Sequence, residues 1–153
     1  MIVFPILILQ VFLFPMVATS FMNVWVSSRR NVALQDAASN LGSTIQQSYF
    51  SLNQSTVPTN TTMTVYPGLP ASIEGYTCRA TATLQTVSQP PLGPITVLQI
   101  TLNLQNAGLW GNTSVLLGSN VVWQYSTFIS NSPKAYVTAQ KLANYTISLG
   151  FGG

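Results

Sequence analysis

The chain has 153 residues, only 5% of them charged, with five cations, two acids and no histidine. The acids, Asp36 and Glu74, are far apart in the sequence, and Cys78 is the single thiol. A histidine- or carboxylate-based catalytic centre, a zinc cluster, an internal disulfide and a basic nucleic-acid stripe are therefore not expected. The chain is read as a non-enzyme with no catalytic residue, metal ligand or cofactor, and no nucleic-acid partner. Uncharged polar side chains replace charge: Ser, Thr, Asn and Gln make up 55 residues, while the hydrophobic fraction of 47% is enough for a packed fold.

From Ile2 to Val26 no residue is charged, and Ile, Leu, Val, Phe and Met dominate. As a helix this run would span roughly 38 Å, more than the roughly 30 Å of a bilayer core. It is too long for the apolar stretch of a cleaved secretory signal, and nothing basic precedes it. Pro5 falls in the expected first turn, where a missing N–H costs little, whereas Pro15 opens one helical hydrogen bond. Arg29 and Arg30 come directly after the run. The positive-inside rule would place the C-terminal part of the chain in the cytoplasm, although its sequons and low charge suit an extracellular domain. A basic leader removed after insertion would resolve that conflict.

Beyond the arginines, Leu34, Ala38, Leu41, Ile45, Tyr49 and Leu52 recur every three or four residues, with Asp36, Asn40, Ser43 and Gln47 on the other side. That is the apolar stripe of an amphipathic helix, which packs on the remainder of the chain. One helix is expected over residues 1–53, apolar all round in its first half and amphipathic in its second, with Gly42 as its only interruption.

After Asn53 the period becomes two. Tyr76, Cys78, Ala80, Ala82 and Leu84 alternate with polar residues, as do Leu98, Ile100, Leu102 and Leu104. Val121, Trp123, Tyr125 and Ile129 define one further strand and Tyr145 to Phe151 a last one, with weaker strands at Thr62–Tyr66 and Ser114–Leu117. Proline-rich breaks fall at Tyr66–Pro70, Gln89–Pro94 and Asn131–Pro133. The fold class expected is α+β: the long helix, then a small antiparallel β-sandwich or barrel-like domain of five or six strands over 54–153.

Cys78 lies on the apolar face of its strand and reads as an inert buried thiol. Trp123 reads as strand core and Trp110 as a loop residue; with the tyrosines they are also candidates for a carbohydrate platform. Four N-glycosylation sequons occur, at Asn53, Asn60, Asn112 and Asn144, whereas Asn131-Ser-Pro lacks the third residue. Asn53, Asn60 and Asn112 fall in expected loops and Asn144 beside the last strand. The stretch Ser55 to Thr64 has the composition of an O-glycosylated segment.

A hydrophobic half-helix at Ile2–Val26, an amphipathic half at Arg29–Leu52 and alternating strands from Tyr76 onward resemble a type IV pilin. The resemblance is architectural, covers the whole chain and lacks a short diagnostic motif. Pro5 stands where bacterial members carry a glutamate. With the sequons and low charge, this makes the chain most similar to archaeal adhesion pilins and archaellins. The resemblance implies a leader peptide removed by a dedicated peptidase, storage in the cytoplasmic membrane, and an extracellular homopolymer of identical subunits with attached surface glycans. The stretch from Phe14 through Gln47 also resembles small pilus-associated proteins of the TadE type.

An apolar helix has no soluble resting place as a monomer, so lipid or copies of itself must cover it. The expected polymerisation core is Ile2, Phe4, Ile6, Leu7, Leu9, Phe12, Leu13, Phe14, Val17, Phe21, Val24 and Trp25. The leading function is a structural subunit of a surface filament used for adhesion. A single-pass membrane-anchored protein with an external binding domain, including a minor pilus component, stays open beside it, as does a virion or envelope protein built on a similar helix.

Overall fold

The computed structural model describes residues 3–89 and 93–152, except for the side chains of 3–10, 12 and 89. Helix α1 runs without a break from Val3 to Asn53, about 76 Å. Pro15 lies inside it. Its ring removes the donor for the Val11 carbonyl, and the Thr19 hydroxyl donates to the Pro15 carbonyl at 2.6 Å, a back-bond that favours local bending.

Among the described residues eight strands come after the helix: β1 (Thr62–Val65), β2 (Cys78–Gln89), β3 (Gly93–Leu104), β4 (Leu109–Leu117), β5 (Val121–Trp123), β6 (Thr127–Ile129), β7 (Val137–Lys141) and β8 (Ile147–Phe151). They form two four-stranded sheets, ordered β1-β7-β8-β5 and β4-β3-β2-β6. The fold is α+β, the two sheets are compatible with a sandwich, and no closed barrel forms among the described residues. The sheets are antiparallel except where β5 runs parallel to β8, which corrects the all-antiparallel expectation.

That parallel pair has a local cause. The expected strand from Val121 to Ile129 is in fact two strands in different sheets. After Trp123 the Gln124 N–H still donates to Leu149, at 2.7 Å. The Ser126 hydroxyl then donates to the Gln124 carbonyl at 3.0 Å and accepts the Phe151 N–H at 2.7 Å. A side chain thus takes the place of the next ladder partner, which frees the backbone to cross over and join β2. The crossover and the unforeseen β7 raise the strand number from the expected five or six to eight. Tyr145 is also corrected: with φ of 63° it sits in the turn before β8 rather than in a strand.

The second half of α1 packs along β4 and also touches β7, β3, β8 and β1. Leu34, Ala38, Leu41 and Ile45 are fully buried and Tyr49 and Leu52 nearly so, in one cluster with Leu98, Ile100, Leu102, Phe128, Val137, Ile147 and Leu149. The helix follows β4 in the same direction, and glycines let the two approach closely. A Cβ on Gly42 would come 3.0 Å from a Val115 methyl, and one on Gly111 would come 3.0 Å from Leu34. Gly42 is therefore a contact point and leaves the helix uninterrupted. Along the open edge of β4, Gln35 Nε2 donates to the Asn112 carbonyl at 3.0 Å and Gln46 Nε2 to that of Leu116 at 3.4 Å. An unpaired strand edge invites pairing with other chains; here helix side chains occupy it.

The helix end is fastened by two polar residues. Buried Lys141, on the inward face of β7, donates from Nζ to the carbonyls of Gln54 at 2.8 Å and Val57 at 2.9 Å. A cation there also opposes the negative end of the helix dipole. Asn120 accepts the Tyr49 hydroxyl at 2.8 Å and donates to Asn53 Oδ1 at 2.9 Å and to the Tyr145 carbonyl at 3.2 Å.

Candidate assembly surface

The first half of α1 has no body of its own to pack on. Leu13, Phe14, Val17, Phe21, Val24 and Trp25, all of the expected polymerisation core, are exposed, Phe14 by 78% and Phe21 by 71%. Val11, Met16, Met22 and Val32 are exposed with them. Ile2 lies outside the described residues, as do the side chains of Phe4, Ile6, Leu7, Leu9 and Phe12. No helix among the described residues is long and apolar enough to cross a membrane.

Over its described side chains, large apolar residues cover most sides of this segment, with one polar line among them. Thr19, Asn23, Ser27 and Arg30, at steps of four, four and three, form a narrow polar strip. Opposite it, Phe14, Phe21 and Trp25 share one side of a broad apolar face. At 3.6 residues per turn, the polar strip runs straight on into the buried stripe that starts at Leu34. Phe14, Phe21 and Trp25 thus lie roughly 140° from the packed stripe, while Leu13, Met16 and Val24 lie closer to its azimuth, and all six are exposed.

The boundary between the halves is marked by the arginines. Arg30 Nε is 2.8 Å from Glu74 Oε2, and its guanidinium lies 5.0 Å from the Tyr76 ring centroid. Glu74 is presented by a tight turn closed by the Ile73–Tyr76 bridge, with positive φ at Glu74 and Gly75. Arg29 points the other way and lies 5.0 Å over Trp25. Sequence reasoning missed the Arg30–Glu74 clamp, because two residues 44 positions apart leave no local signal.

The sequons sit at the periphery. Asn53, expected in a loop, is the last helical residue, Asn60 and Asn144 are in turns, and all four acceptors are exposed. Asn112 is corrected from loop to strand: it pairs with Thr101 inside β4. Its strand was hidden because Trp110-Gly111-Asn112 reads as a break, whereas Gly111 is demanded by contact with Leu34. Trp110 likewise belongs to β4 and is exposed. Trp123 is half-buried, its ring edge-on to Phe151 at 5.0 Å. Cys78 is buried, and burial pushes its thiol pKa up, partly offset by a hydrogen bond with Ser130. No group of three or more His, Cys, Asp or Glu that could hold a metal occurs among the described residues.

Comparison of the chain with protein-family models, curated proteins and solved structures finds no match.

Proposed function

We propose that this chain is the structural subunit of an extracellular, type IV-like filament, homopolymeric and used for surface adhesion. The N-terminal half of α1 forms the filament core, held in the cytoplasmic membrane until assembly. The two sheets form a sandwich that faces outward and carries the glycans. The observation that carries this reading is the run of large apolar side chains, Leu13, Phe14, Val17, Phe21, Val24 and Trp25, exposed along the first half of α1.

Magnitudes favour a polymer over a simple pair. Full burial of a large apolar side chain contributes about 1.5–3 kcal/mol. Leu13, Phe14, Val17, Phe21, Val24 and Trp25 together then offer on the order of 10 kcal/mol. Association of two bodies costs about 4–15 kcal/mol, so one partner covering one side of the helix gives a marginal complex. A helical array surrounds every helix with several neighbours, and one repeated heterologous contact generates it.

One observation favours the second reading, a single-pass anchor. Trp25 under Arg29 has the composition of a membrane-interface belt. Electron microscopy of material sheared from the native cell surface separates the two. Filaments made of this chain, lost in a Leu13→Asp variant whose β region stays folded, are the expected result. Normal filaments from Leu13→Asp, or a chain found only as a membrane-bound monomer, would overturn the proposal.

A further inference from the structure

Strand β4 alternates strictly, with Gly111, Val115 and Leu117 buried and Trp110, Asn112, Ser114 and Leu116 on the outer face. Trp110 and Asn112 are therefore neighbours on one face, roughly 7 Å apart along the strand. Trp110 is 64% exposed, a large indole with nothing stacked on its open side among the described residues. Beside Asn112 the face dips into a shallow depression of about 210 Å³, lined on its polar side by Gln99, Thr101, Asn112 and Ser114. These four come from adjacent registers, Thr101 opposite Asn112 and Gln99 opposite Ser114.

The four sequon asparagines differ in what holds them. Asn53 Oδ1 is engaged by Asn120, Asn144 Oδ1 accepts the Thr146 N–H at 3.2 Å, and Asn60 sits at a turn with φ of 65°. The Asn112 backbone is held by Gln35 and by its pairing with Thr101, while its amide, like that of Asn60, makes no hydrogen bond among the described residues; Asn112 is exposed on the same face as the open Trp110 ring.

We propose that Asn112 carries an N-linked glycan whose first sugar lies flat on this face. Its apolar side rests on the Trp110 indole, and its hydroxyls together with those of the sugar after it reach the amide and hydroxyls of Gln99, Thr101 and Ser114 across the depression. The C–H groups of a sugar ring carry slight positive charge and suit the negative face of the indole. Gln99, Thr101 and Ser114 supply donors and acceptors for the hydroxyls. The donor is a lipid-linked phosphosaccharide. The Asn112 Nδ2–C1 bond forms as the C1–O bond to the lipid phosphate breaks; the phosphate leaves with the electron pair, the amide loses one proton, and nothing is oxidised or reduced. This inference rests on the reading of the chain as a surface subunit, which exposes it to such a donor.

The test begins with peptide mapping of the native protein by mass spectrometry, where the Asn112 peptide should carry a saccharide. Thermal melts of Trp110→Ala, Asn112→Gln and the double variant, all from the native host, then measure the coupling. Trp110→Ala should lower Tm by about 2–4 °C when Asn112 is modified and leave it unchanged in the Asn112→Gln background. Trp110→Tyr, which keeps an aromatic face, should restore most of the loss. An unmodified Asn112 peptide overturns the proposal, and so does a Trp110→Ala loss of equal size in both backgrounds. Filaments are scored on the same samples: a modified, coupled Asn112 without filaments sinks the filament reading and leaves the glycan seat standing.

Discussion

The two halves of α1 share one backbone and differ in what covers them. From Val11 to Val32 large apolar side chains stand in solvent; from Leu34 to Leu52 the apolar residues are enclosed by two sheets. The first half has the more hydrophobic sequence, yet it contributes nothing to the fold of the single chain that the second half does not already provide. Hydrophobicity alone therefore does not locate the core. The packed half lays its apolar stripe on β4, and Phe14, Phe21 and Trp25 of the exposed half face roughly 140° away from it. The same driving force serves folding in one half and, in the proposed filament, association in the other.

The sharpest way to break this contrast is to damage each half in turn. Leu41→Ala, in the fully buried stripe, should cost about 2–5 kcal/mol of folding stability, read as a fall in the urea midpoint. Leu13→Asp in detergent should leave that midpoint within about 0.5 kcal/mol of wild type while abolishing self-association in sedimentation. A large stability loss from Leu13→Asp would show that the exposed half supports the fold after all.

At the next level, the packed half depends on closeness and on a buried cation. A Cβ at Gly118 would collide with the Tyr49 hydroxyl, so Gly118→Ala must displace the Tyr49–Asn120 bond and should cost about 1–3 kcal/mol. Lys141→Met preserves length but strips the donor from the Gln54 and Val57 carbonyls, again costing about 1–3 kcal/mol. Amide hydrogen exchange should localise the Lys141→Met effect to the last turn of α1 and to residues 54–61. Uniform protection there would argue against its role as a fastener.

Cys78 gives a smaller, pH-gated effect on the packed side. Burial raises its thiol pKa, so the folded chain retains a proton that the unfolded chain releases. Its contribution is complete below the unfolded thiol's pKa of about 8.5 and declines as pH rises above that value, by at most about 1.4 kcal/mol per pH unit. Chemical denaturation between pH 7.5 and 9.5 should show this decline, flattened in Cys78→Ala, and the folded thiol should resist alkylation. Rapid alkylation of the native chain would contradict the enclosed placement.

Legibility in the sequence divides along the same line. The helix, its packed stripe from Leu34 to Leu52, and the long hairpin of β2 and β3 all arise from regular periods of apolar residues. Strand β7 escaped because its inward positions are Val137, Ala139 and Lys141, and a buried lysine erases the alternation. The start of β4 escaped because a glycine needed for close helix contact reads as a break. The 121–129 segment read as one strand because pattern alone cannot show that Ser126 replaces a ladder partner. On the candidate assembly surface the apolar side chains and the continuous helix were both legible; what the sequence left out is that the packed stripe meets β4.

The smallest test addresses the joint between the halves, where Arg30 meets Glu74 at 2.8 Å. Both side chains are partly exposed, by 26% and 34%, so solvent screens the attraction and the pair contributes about 0.2–1 kcal/mol. A double-mutant cycle with Arg30→Gln and Glu74→Gln should return a coupling in that range, reduced by 0.5 M salt. The clamp sits where α1 leaves the body, and the azimuth of the helix there is already set by the stripe packed on β4. A coupling that is absent, or that salt leaves unchanged, would mean that this ion pair does not fasten the joint.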